Sequence, residues 1–77
     1  MRTPRRLIDL HPGSSATIAA LRAEPALLQR LDAMGVRPGQ TVRMLRRAWW
    51  AGPLHVRVGM TELMMRRRDA AGVDLAA

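Results

Sequence analysis

The chain has 77 residues, no cysteine and a formal net charge of +7. One domain is expected at this length, and the lack of cysteine excludes disulfides and thiolate metal sites. A core this small supplies only about 3–5 kcal/mol, so an efficient closed sheet or a partner subunit is expected to make up the margin.

The start, "MRTPRRLIDL", is charged but has no apolar core behind it, so it is not a secretion signal. Residues 1–6 are expected to fray. No apolar run approaches the roughly 20 residues of a membrane span, and a cytoplasmic protein is the reading. In "LIDLHPGSSATIAAL", Pro12 and Gly13 suit the central positions of a type II turn. Ala16, Ile18 and Ala20 then alternate with Thr17 and Ala19, as in a strand.

In "AEPALLQRLDAMG" the period changes. Pro25 suits a first helical turn. Leu27, Leu28, Leu31 and Met34 fall on one helix face, and Gly35 stands where a left-handed cap is wanted. A helix from Pro25 to Met34 is predicted. Pro38 and Gly39 then repeat the first turn: "LHPGSSATI" and "VRPGQTVRM" share an apolar residue, a spacer, Pro-Gly and a polar lead into a strand.

"TVRMLRR" reads as a strand with a bulge near Leu45, and "AWWAGP" as a turn or longer loop. "LHVRV" alternates cleanly, with Leu54, Val56 and Val58 inward. Gly59 permits a tight turn. "ELMMRRR" places Leu63 and Met65 on one face, with Arg66 to Arg68 ending the strand. "DAAGVDLAA" holds a short helical turn and a last strand through Val73 and Leu75. The prediction is mainly β, with one helix: about five short strands in a small, partly open barrel.

Few residues carry chemistry. His11 and His55 are the only histidines, and Asp9 beside His11 makes at best two ligands, where a ferrous site gathers more imidazoles and carboxylates. No metal site and no cofactor are expected. Ser14 and Ser15 lie by a turn, where hydroxyls bond backbone groups; no acid–base set accompanies them, and no catalytic residue is assigned. Met44, Met64 and Met65 read as core or groove residues.

All the basic residues are arginine. Arg46 and Arg47 close one strand and Arg66, Arg67 and Arg68 another, so the two ends can converge as a basic patch. Solvated strand ends are the plain reading of such arginines. An anionic partner surface is the functional one, whether an acidic loop or lipid headgroups. Trp49 and Trp50 sit beside Gly52-Pro53, and tryptophan with arginine dominates interface hot spots. The candidate partner-binding set is therefore Trp49, Trp50, Arg46, Arg47, Arg66 and Arg67.

Taken together, these motifs resemble a known family. They are Pro12-Gly13, Ala16, Ile18, Arg30-Leu31, Met34-Gly35-Val36, Pro38-Gly39, Gly52-Pro53-Leu54, Val56, Val58, Leu63, Met65-Arg66-Arg67, Asp69-Ala70, Val73 and Leu75. In order and spacing they are similar to the ferrous iron transport protein A (FeoA-like) family. The resemblance runs from Leu7 to Leu75 and implies an SH3-like barrel. It further implies a cytoplasmic accessory of ferrous iron uptake that docks to the membrane GTPase transporter; apart from the resemblance, the arginines and tryptophans allow peripheral membrane contact, and the small core allows an oligomer. The alternatives are a small basic nucleic-acid-binding barrel and a stand-alone relative of the C-terminal domain of iron-dependent repressors.

Overall fold

A computed structural model describes residues 5–48, 50 and 52–76. In chain order they form a 3-10 turn at Leu7–Asp9, β1 (Ser15–Leu21), α1 (Pro25–Ala33), β2 (Thr41–Arg47), β3 (Leu54–Val58), β4 (Thr61–Met65), α2 (Arg67–Ala70) and β5 (Val73–Leu75). The five strands make one antiparallel sheet in the order β4-β3-β2-β1-β5. Its inner face is lined by the positions that alternation singles out. Ile18, Val42, Met44, Leu54, Val56, Val58, Met65, Val73 and Leu75 are all buried.

The repeated Pro-Gly pattern has a structural meaning. Gly13 and Gly39 adopt φ of 87° and 93°, and each turn closes with an N–H to the carbonyl three residues back, Ser14 to His11 and Gln40 to Arg37. Gly13 N–H donates to Met44 C=O at 2.7 Å, and Met44 N–H donates back to Ser14 C=O at 3.0 Å. Gly39 N–H donates to Ile18 C=O, and Ile18 N–H donates back to Gln40 C=O, both at 2.8 Å. The two turns thus clamp each other's strand about a local two-fold axis at the Ala16–Val42 pair. Both strands also bulge just after the clamped residue, β1 between Ile18 and Ala20 and β2 between Met44 and Arg46. Bulges bend a strand and raise its twist, so the paired bulges curl the sheet towards a barrel.

Helix α1 ends where Gly35, at φ 87°, takes the left-handed position. Val36 N–H reaches Leu31 C=O at 2.8 Å and Gly35 N–H reaches Asp32 C=O at 3.0 Å, the paired bonds of a Schellman cap. The predicted apolar face is only shallowly covered. Leu31 is buried, Leu27 and Leu28 are partly so, and Met34 is exposed. The helix lies at the rim of the sheet and only its middle reaches the core.

Two expectations need correction. Arg5 and Arg6 are not frayed: Arg5 C=O accepts Leu75 N–H at 2.7 Å and Arg6 bridges to Asp74. The turn behind them seats Leu7 and Leu10 in the core. Residues 1–4 lie outside the described residues. In addition, β4 stops at Met65 and does not run to Arg68. Arg66 C=O accepts the N–H groups of Asp69 and Ala70 at 3.0 and 2.9 Å, which starts the one-turn α2 at Arg67.

One corner depends on a missing side chain. Arg22 N–H donates to Gly72 C=O at 2.8 Å, and a Cβ on Gly72 would stand 2.2 Å from Arg22 O. Only glycine lets the end of β1 come this close to the start of β5. Arg22 then pairs with Asp74 at 2.7 Å.

Candidate docking surfaces

The register of β2, β3 and β4 decides which arginines meet. Arg47 lies opposite Leu54, and Leu54 opposite Met65. The ends of β2 and β4 therefore lie at one end of the sheet, with the 48–53 loop between β2 and β3 beside them. The two strand ends share one end of the sheet with β3 between them, and the arginines there divide by role.

Arg67 turns inward and organises the loop. Its Nε donates to Gly52 C=O at 2.9 Å, and Nη2 donates to the carbonyls of Ala48 and Trp50. The loop runs between strands and offers these oxygens no ladder partner, though Trp50 C=O also accepts Gly52 N–H at 2.8 Å; backbone carbonyls need donors. A planar fork of fixed donors suits several oxygens at once, which a lysine cannot match. Arg47 acts similarly, with Nη1 donating to Leu10 C=O at 3.1 Å. Arg46, Arg66 and Trp50 remain at the surface, with Trp50 62% exposed. Trp49 lies outside the described residues. No local signal in three consecutive arginines marks the middle one as inward; the position of α2 does.

The outer face of the sheet adds a feature that alternation placed outward but did not pair. Arg43 stands directly opposite Arg57, a like-charge pairing that costs stability. On its other side Arg57 faces Glu62, whose Oε1 lies 3.0 Å from His55 Nε2. Asp9 lies 3.4 Å from Arg6 Nε, and His11 is exposed on the first turn. Among the described residues no three side chains of His, Asp or Glu gather as metal ligands would.

A second surface is a groove of about 530 Å³ between α1 and β4. Exposed Met64 and buried Met65 both line it, whereas Met44 lies wholly in the core. No helix among the described residues is long and apolar enough to cross a membrane.

Five short antiparallel strands, a capped rim helix and a bulged central pair define a small SH3-like β module. The chain belongs to the FeoA domain family, whose pattern matches residues 5–76. A FeoA protein from Chlorobium tepidum is 33% identical, with a TM-score of 0.85 over 91% of this chain and 67% of that one. FeoA from Stenotrophomonas maltophilia, described as a procaryotic SH3 domain protein complexed with zinc, is 30% identical, with a TM-score of 0.80 over 95% of this chain and 91% of its own. A manganese-dependent transcriptional repressor shares the fold at 23% identity and a TM-score of 0.84; this chain covers 44% of it. Among curated protein sequences none matches.

Proposed function

We propose that the protein is a cytoplasmic accessory of ferrous iron uptake that acts by docking to the cytoplasmic part of the membrane GTPase transporter, without chemistry of its own. Membership of the FeoA domain family supports the iron-uptake context, and the Stenotrophomonas relative has been put forward as a ferrous iron transport activating factor. The observation that carries docking is the loop at 48–53. Arg67 donates to the carbonyls of Ala48, Trp50 and Gly52, Trp50 stands 62% exposed, and Arg46 and Arg66 are exposed at the same end of the sheet. An exposed tryptophan on the same loop as surface arginines has the composition of an interface hot spot.

Radiolabelled Fe(II) uptake in cells that depend on this protein tests the reading. Wild type should restore uptake, and Trp50→Ala should not, at equal protein level. Uptake that is the same with and without the protein would refute the iron-uptake role.

A further inference from the structure

The outer edge of β4 has a neighbour on one side only among the described residues. It joins β3 through the two-residue turn Gly59-Met60, with Gly59 at φ 61°. In such a hairpin the closing pair exchanges both N–H···O bonds, and every second pair beyond it does the same. Val58–Thr61, Val56–Leu63 and Leu54–Met65 are therefore the hydrogen-bonded pairs of the register. Glu62 and Met64 direct their N–H and C=O groups away from β3, to the edge.

This edge forms one wall of the groove against α1. Leu63, Met64 and Met65 all line it. Successive strand residues point to opposite faces, so it is the edge of β4, not one of its faces, that looks into the groove. Leu27, Leu31 and Met34 line the opposite wall. Two alanines, four arginines and only two carboxylates, Glu24 and Asp69, complete the lining. Asp69 is shared between Arg66 and Arg68 at 3.9 and 4.0 Å, and Arg30 makes no ion pair among the described residues.

We infer that this groove takes an extended acidic peptide, which adds to β4 as a further strand. Its backbone pairs with Glu62 and Met64. Its alternate apolar side chains pack on Leu27, Leu31 and Met34, and its carboxylates meet Arg30, Arg66 and Arg68. Strand addition of this kind draws affinity from main-chain bonds and specificity from alternate side chains. A helical occupant would leave the edge groups of β4 unpaired. A second copy would bring the same arginines against one another. The groove does not use Trp50, so the inference stands independently of the iron-uptake reading.

The test is a titration of isotopically labelled protein with two capped octapeptides, one alternating valine with glutamate and one valine with lysine. The glutamate peptide should shift the amides of Glu62 and Met64 and the methyl groups of Leu27 and Leu31. It should bind at least tenfold more tightly than the lysine peptide and more weakly as salt rises. Met64→Pro removes an edge donor without touching the β3–β4 ladder, and proline is tolerated on edge strands; it should cost at least tenfold in affinity. Arg30→Glu, on an exposed helix position, should lower affinity severalfold with folding intact, and it decides the matter if Met64→Pro fails to fold. Equal affinity for both peptides, undiminished binding by folded Met64→Pro or by Arg30→Glu, or shifts confined to the Arg43–Arg57 face would overturn the inference. So would a concentration-dependent dimer that masks the Met64 amide.

Discussion

Replacing Arg67 by alanine separates a loop organiser from a surface charge. In the structure its guanidinium supplies donors to three loop carbonyls, those of Ala48, Trp50 and Gly52. A hydrogen bond to a charged group contributes about 1.5–3 kcal/mol. The three bonds share one side chain and do not add. Water can also reach carbonyls in a surface loop, so the net loss should be nearer that of one such bond, about 2 kcal/mol. In a domain of this size 1 kcal/mol moves Tm by about 4–8 °C, which gives a fall of roughly 8–16 °C. Arg67→Lys should recover less than half of it, because one ammonium cannot span three oxygens held by a planar fork. Circular dichroism melts give the stability, and amide hydrogen exchange over residues 48–53 reports on the loop, which should exchange faster in Arg67→Ala. A Tm within about 2 °C of wild type, with loop exchange unchanged, would refute the role of Arg67.

The local two-fold axis predicts that Gly13→Ala and Gly39→Ala behave alike. A Cβ would meet nothing within 4 Å at either position, so each should cost only the left-handed backbone penalty of about 1–2 kcal/mol, read from urea melts. Gly72→Ala adds a clash with Arg22 O at 2.2 Å to a corner that cannot expand freely; overpacking costs of about 1–3 kcal/mol apply, and weaker amide protection at Arg22 should accompany the lower Tm. Duplex DNA titrated at physiological salt should bind no more tightly than the non-specific range of about 10⁻⁴–10⁻⁶ M; a nanomolar complex would favour the nucleic-acid alternative.

The elements that depend on local chemistry were legible in the sequence. Pro12-Gly13 and Pro38-Gly39 set their turns by backbone preference alone, Pro25 and Gly35 bracket α1, and Leu54, Val56 and Val58 alternate without interruption. Leu45 at the β2 bulge was visible because an apolar residue broke the alternation; its counterpart Ala19 was not, since alanine suits either face. What depended on distant partners was not legible. Arg5 and Arg6 are ordered by residues 74 and 75 at the far end of the chain. Arg67 differs from Arg66 and Arg68 only once α2 turns it towards the loop. The groove beside β4 exists because α1 stands at the rim, and no periodicity within α1 states how deeply its apolar face is seated.

Docking through the loop at 48–53 is the central claim, and one calorimetric titration tests it most directly. The cytoplasmic domain of the ferrous iron transporter is titrated with wild-type protein and with Trp50→Ala, beside thermal melts of both. A hot-spot tryptophan loses about 2 kcal/mol or more on truncation, roughly a thirtyfold weaker Kd at RT of about 0.59 kcal/mol. The exposure of Trp50 predicts little change in Tm. A Trp50→Ala protein that binds as tightly as wild type, or that loses its stability instead of its affinity, would contradict the account.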